Sequence, residues 1–228
     1  MNISGLYFTR LLMLFGSLIY IFPSVARADV FLNPGFELSG ILGSGDSANW
    51  EESGLFGASI RDTTNPNTGA AAHKLGGLVS AGFGDGSIVQ NSLDQGAVPL
   101  NPGDVLVAEF WASTDINTSL NAGADYQFDI VDDSGNVIVS TGLMPLPSST
   151  TGYQLFDSSS NPLTVPSTPG NYGAQLTVNA RHGNTASTVT VTVFVDDVRV
   201  YSVPEPGTAM FLCAILCSCS IRRTRKQQ

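Results

Sequence analysis

An all-β domain is the fold this sequence predicts, on three observations. Runs of β-branched and aromatic residues recur about every ten residues between positions 30 and 201, the spacing of strands in a sandwich or barrel. Clusters of Gly, Ser, Thr, Asn and Asp separate the runs, and within the runs polar and apolar side chains alternate, as they must when successive residues point to opposite faces of a sheet. No stretch of this body longer than a turn or two has the spacing of an amphipathic helix.

Strands are expected at Val30 to Asn33, Ala58 to Asp62, Ala71 to Leu75, Ser87 to Leu93 and Val105 to Ser113. They continue at Tyr126 to Asp132, Val137 to Thr141, Tyr153 to Phe156, Gly173 to Arg181 and Thr188 to Tyr201. Asp133-Ser134-Gly135-Asn136 has the turn residues of a hairpin between two of them. Alternation sorts the faces: Leu106, Ala108 and Phe110 share one, Glu109 and Trp111 the other. Tyr126, Phe128 and Ile130 oppose Gln127 and Asp129. Ala174, Leu176, Val178 and Ala180 oppose Gln175, Thr177, Asn179 and Arg181, and Val191, Val193 and Val195 face away from Thr190 and Thr192. Trp50 and Tyr126 read as core.

Both ends of the chain read as targeting segments rather than fold. Arg10 precedes the apolar stretch Leu11 to Phe22, Pro23 breaks it, and Ala26-Arg27-Ala28 offers the small residues a signal peptidase reads. A signal peptide over residues 1–28 is expected. The body then spans residues 29–202, one domain by length. Across residues 29–203, four basic residues (Arg61, Lys74, Arg181, Arg199) face eighteen acidic ones, a net charge of −14. Such a surface repels phosphate backbones, so nucleic acid is excluded as a partner. The three cysteines, Cys213, Cys217 and Cys219, all lie in the tail and the chain has two histidines. A disulfide framework and a zinc site are excluded on those counts.

The tail, residues 203–228, has three parts: Val203-Pro204-Glu205-Pro206, an apolar stretch from Thr208 to Ile221, and Arg222-Arg223-Thr224-Arg225-Lys226. The prolines keep the first part extended. The fourteen apolar-stretch residues would make a helix of about 21 Å against a hydrocarbon core of about 30 Å, a short transmembrane helix. The basic cluster orients it, holding the acidic domain outside. Together these parts resemble the PEP-CTERM sorting signal of Gram-negative bacteria. That resemblance implies a transient stay in the inner membrane, recognition of Val203, Pro204, Glu205, Pro206, Arg222, Arg223 and Arg225 by an exosortase after the secretion machinery, and delivery to the cell surface or extracellular polysaccharide matrix. Cys217-Ser218-Cys219-Ser220 makes the apolar part more polar than is usual in that family.

A second resemblance covers most of residues 30–201. Val30-Phe31-Leu32-Asn33-Pro34-Gly35-Phe36-Glu37 followed by Trp50, Thr68-Gly69-Ala70-Ala71-Ala72-His73-Lys74-Leu75, Pro102-Gly103-Asp104 leading to Phe110-Trp111-Ala112, and Phe194-Val195-Asp196-Asp197-Val198-Arg199-Val200 are similar, in order and spacing, to the motifs of jelly-roll carbohydrate-binding modules. The resemblance implies a jelly-roll β-sandwich with a structural Ca2+ between its first and last strands, held by Glu37 and Asp196 with Asp197 as substitute. Calcium takes six to eight oxygens in irregular geometry. The same carboxylates could instead cap turns and pair with Arg199. A sugar site is expected where Trp111, Glu109, Gln127, Asp129, Gln175, Asn179 and Arg181 line the concave sheet; its alternative is an ordinary solvated face. The sequence has no nucleophile elbow and no glycine-rich phosphate cradle. The expected role is a non-catalytic, glycan-associated surface or matrix protein, or else a structural or adhesion protein without a sugar site.

Overall fold

The computed structural model describes residues 30–203 except 41–42, 55–57, 77, 80–81, 84, 97–99, 117–121 and 182–190. The proposed signal peptide and the tail beyond Val203 lie outside the described residues. Among those described, no helix is long and apolar enough to cross a membrane.

In chain order the strands are β1 (Ser39–Gly40), β2 (Gly43–Ser47), β3 (Glu51–Gly54), β4 (Ser59–Asp62), β5 (Ala72–Gly76), β6 (Leu78–Val79), β7 (Gly82–Phe83) and β8 (Gly86–Asn91). They continue as β9 (Val105–Ile116), β10 (Gly123–Asp132), β11 (Val137–Ser140), β12 (Met144–Pro145), β13 (Gln154–Asp157), β14 (Leu163–Thr164), β15 (Tyr172–Arg181) and β16 (Val191–Val203). Two six-stranded sheets dominate. The first runs β11-β10-β15-β8-β3 with β12 added to β10; the second runs β13-β9-β16-β5-β4 with β14 added to β9. Their ladders are antiparallel, giving an all-β sandwich consistent with a jelly roll.

The alternation in sequence is the alternation in space. Leu106, Ala108, Phe110 and Ala112 of β9, with Val191, Val193 and Val195 of β16, are buried against Phe128, Ile130, Leu176 and Val178 of the first sheet. Phe110 meets Tyr126 edge-on at 5.0 Å between ring centroids, a geometry aromatic quadrupoles favour. Each fully buried Leu or Phe contributes roughly 1.5–3 kcal/mol. The hairpin at Asp132 forms as expected. Asp132 Oδ1 accepts the backbone N–H groups of Ser134 and Asn136 at 2.9 Å, while Gly135 takes φ 78°.

One predicted strand is absent. Val30 to Asn33 is irregular, because Asn33 and Phe36 take positive φ (49° and 55°) and the segment's polar groups are met by side chains instead of a ladder. Leu32 N–H donates to Gln90 Oε1 at 2.8 Å, and Gln90 Nε2 donates to Leu32 O at 2.9 Å and Asn49 O at 2.7 Å. Asn33 bridges Leu38 and Ala48, and Trp50 Nε1 donates to Asn33 O at 3.1 Å. Trp50, buried as predicted, packs on Phe36 at 4.9 Å. Fully buried Gln90 thus pins the start of the domain to the first sheet.

Candidate functional site

Five of the seven predicted sugar-site residues lie on one surface, the outer face of the first sheet. Register pairs Asp129 with Gln175, Gln127 with Thr177, Asp125 with Asn179 and Gly123 with Arg181; Gln175 in turn pairs with Asn91. Directly opposed residues bring their Cβ atoms within about 5 Å, so amides and carboxylates from three strands form a continuous field. Gln127 Nε2 donates to both Asp129 oxygens at 3.0 Å and to Ser140 Oγ at 3.2 Å. Asn179 Nδ2 donates to Asp125 Oδ1 at 3.0 Å, and Arg181 forms an ion pair with Asp125 Oδ2. Asp125 and Asp129 are buried beneath their partners, which holds the planar groups in fixed orientations. No aromatic residue of β8, β10 or β15 falls on this face among the described residues.

Trp111 and Glu109 are not there. Both point outward, as alternation predicted, but β9 belongs to the second sheet, so they lie on the opposite side of the sandwich from Gln127 and its neighbours. Trp111 is opposed by Leu155 and Asp196, and Glu109 by Asp157 and Arg199. The chain crosses between sheets from β9 to β10, so these two consecutive strands lie in different sheets. The predicted groove is divided into two surfaces.

The predicted metal ligands do converge. A Cβ on Gly35 would lie 3.7 Å from Asp196 Oδ1, 3.8 Å from Asp197 Oδ1 and 3.8 Å from Glu37 Cγ. A bulge between Asp196 and Arg199, with Asp197 at φ 49°, turns both aspartates toward the loop. Asp196 Oδ2 accepts the N–H groups of Asn67 and Thr68 at 2.8 and 3.1 Å, and its Oδ1 accepts Asp197 N–H at 2.8 Å. Both Glu37 oxygens take the N–H of Ala70, at 2.9 and 3.1 Å. Gly69 takes φ 63°, a conformation L side chains rarely adopt, and a Cβ there would also push the Glu37 carboxylate aside. Val198 N–H donates to Pro34 O at 3.0 Å, tying the last strand to the first loop.

Asp196 is fully buried. Burial pushes its pKa up to about 6; the neighbouring Asp197 charge pushes the same way, and the three backbone donors pull it back. No Lys or Arg among the described residues pairs with Asp196, and Arg199 lies opposite Glu109 instead. This donor set, hard oxygens around a buried and uncompensated negative charge, fits a hard divalent cation. As they stand, no three His, Cys, Asp or Glu side chains among the described residues form a metal-holding group; the carboxylates are turned to backbone donors.

One polar cluster was not foreseen. His73 is fully buried, with Nδ1 2.8 Å from Ser47 Oγ and Nε2 2.9 Å from Ser59 Oγ. Ser59 Oγ donates onward to Ser87 O at 2.9 Å. Glu52 Oε1 lies 3.6 Å from Nδ1 and accepts Ser47 N–H at 2.8 Å. Burial drives the His73 pKa down from its ordinary 6.5 to about 3, so the ring is neutral. The alternation in β5 placed His73 on the Leu75 face, the one signal that could have revealed it as core.

No protein-family model matches the chain, and no curated protein matches it. Among solved structures, the enzymatically active domain of bacteriophage CBA120 tailspike protein 4 is similar over 77% of this chain, at 18% identity and a TM-score of 0.52. This chain spans 21% of that one. TmCBM61 in complex with beta-1,4-galactotriose aligns over 77% of this chain and 99% of its own, at 19% identity and a TM-score of 0.45. The CBM22-1 xylan-binding domain from Paenibacillus barcinonensis Xyn10C aligns over 80% and 99%, at 9% identity and a TM-score of 0.45. The likeness to the tailspike domain is one of fold.

Proposed function

We propose that this protein is an exported, non-catalytic, glycan-associated module of the cell surface or extracellular polysaccharide matrix. One observation carries the reading: the outer face of the first sheet presents Gln127, Asn179 and Arg181, held by the buried Asp129 and Asp125, with Gln175 beside them, as a field of planar polar groups. Sugar hydroxyls are both donors and acceptors, and such a field can meet them without moving. Preorganised polar groups lose less side-chain entropy on binding than flexible ones. His73, the one described histidine, is sealed between Ser47 and Ser59 and so is not placed to act as a general base.

Export and sorting rest on the sequence signals: residues 1–28 as signal peptide, and the Pro-Glu-Pro, apolar and basic tail as the substrate of an exosortase. Calcium belongs to the same proposal. Glu37 and Asp196, with Asp197 beside them, would hold it, and its chemistry there would be to neutralise the buried Asp196 carboxylate and join the first loop to the last strand. A second reading, a structural or adhesion protein without a sugar site, is favoured by one specific feature: among the described residues, β8, β10 and β15 put no aromatic ring on the polar face.

Affinity electrophoresis of the full chain through gels containing galactan, xylan or soluble cellulose separates the two readings. Retardation in at least one gel, lost in Gln127→Ala/Gln175→Ala with an unchanged melting temperature, is expected. Unretarded migration in all of them refutes glycan association through this face and leaves the structural role. For sorting, mass spectrometry of the surface-exposed protein should find the chain ending at the Pro-Glu-Pro segment; an intact Arg-rich terminus there would contradict exosortase processing.

A further inference from the structure

We propose that the outer face of the second sheet carries a sugar-stacking site centred on Trp111, separate from the polar face of the first sheet. The inference goes beyond the polar face and does not depend on it.

Trp111 sits in the middle of β9, half-buried, and points outward between Leu155, which is 46% exposed, and Asp196, which is buried beneath the Asn67–Thr68 loop, so the indole is open on the Leu155 and Glu109 side. Its indole N–H meets no acceptor among the described residues. One row along the strands, Asp157, Glu109 and Arg199 stand abreast, a line of planar charged groups. One row the other way, Ser113 is opposed by Phe194, and Lys74 lies beyond with its Nζ 6.0 Å from the Phe194 ring. Outward-facing residues two apart on a strand are separated by about 7 Å. Indole, carboxylates and guanidinium therefore stand side by side across the sheet.

This juxtaposition matches the chemistry of a pyranose. The C–H face of the ring is apolar and lies flat on an indole, while equatorial hydroxyls project sideways to where carboxylates accept and a guanidinium donates. A buried core Trp does not show this arrangement, as Trp50 illustrates: it packs against Phe31 and Phe36 and gives its N–H to Asn33 O. The flanking charges also set the class of ligand. Three carboxylates (Asp157, Glu109 and Asp196) against Arg199 and Lys74 leave a net negative charge that disfavours uronates and favours neutral β-linked hexans, whose flat chains offer successive C–H faces.

The test exploits the fact that the chain has two tryptophans, one sealed in the core and one on this face. Cellohexaose is titrated into the full chain while tryptophan emission and acrylamide quenching are followed. Sugar stacked on Trp111 should shift the emission and shield it from quencher, and the same response should persist in Gln127→Ala/Gln175→Ala. Trp111→Ala should weaken binding by about tenfold or more, the scale of losing a central aromatic anchor. Trp111→Phe, which keeps a stacking ring, should weaken it less and abolish the emission change. Unaltered emission up to millimolar cellohexaose, or equal affinity in Trp111→Ala of native melting temperature, overturns the proposal. Binding that leaves emission unchanged but disappears in Gln127→Ala/Gln175→Ala upholds the polar face and refutes this one. An alginate response equal to that of cellohexaose would refute the assignment to neutral chains.

Discussion

Acid should weaken this fold through one residue, His73. Its ring is fully buried between two serine hydroxyls, and its pKa falls from the ordinary 6.5 to about 3. Below pH 6.5 the unfolded chain takes up a proton that the folded one refuses, so stability is full above 6.5 and drains as pH falls toward 3. Each pH unit well inside that window costs about 1.4 kcal/mol, and the interval from pH 6 to pH 4 about 2.5 kcal/mol. That is a large part of the 5–15 kcal/mol typical of a domain. Asp196 acts in the opposite direction. Its folded pKa, raised to about 6, lets the native state bind a proton before the unfolded chain does, which adds stability as pH drops through 6. The wild-type profile is therefore a partial cancellation, and the informative quantity is a difference between variants. Urea unfolding of wild type and His73→Gln at pH 6 and pH 4 should show the wild type losing about 2.5 kcal/mol more across the interval than the variant, whatever the variant's absolute stability. Equal losses, or a His73 NMR resonance that titrates near 6.5, would refute the reasoning.

Three further outcomes are expected. Gln90→Ala removes three bonds to Leu32 and Asn49 and strands buried backbone groups, so chemical denaturation should show a loss of roughly 2–4 kcal/mol. Calcium should raise the melting temperature relative to chelator by several degrees, and this gap should vanish in Asp196→Asn and shrink below pH 6, where the carboxylate is protonated; equal melting with and without chelator refutes the cation site. Phe128→Ala, at a fully buried ring, should cost about 3–5 kcal/mol in the same urea assay, against under about 0.5 kcal/mol for the exposed Ile138→Thr.

The faces of this protein were legible because they depend on a period of two, which each strand carries within itself. Leu106, Phe110, Phe128, Leu176 and Val193 are buried where alternation put them, and Gln127, Gln175 and Trp111 point outward. Adjacency between strands is not written in that period. It follows from which edges are free when the chain crosses over, and hence Trp111 was expected beside Gln127 and lies on the far sheet. The first loop was misread for a related reason: Val30, Phe31 and Leu32 are apolar enough for a strand, but Asn33 at positive φ and the Gln90 amide impose a turn. Gln90 and His73 gave little warning, since a polar residue on a core face reads as an irregularity until its partners, forty or more residues away in the case of Leu32 and Asn49, are known. Edge strand β3, Glu51-Glu52-Ser53-Gly54, has no hydrophobic residue to betray it.

The pairing of β16 with β9 runs from Val191 opposite Ile116 to Val203 opposite Val105, and Val203 directly precedes the Pro-Glu-Pro segment in the sequence. Were the domain tethered through that segment, a pull along the strand axis would load this ladder from its end. The rungs of the ladder then share the load simultaneously in shear, rather than parting one after another as they would if the strand were peeled from its end. If the domain is tethered through its tail and holds a glycan, as proposed, drag would fall on the longest ladder among the described residues.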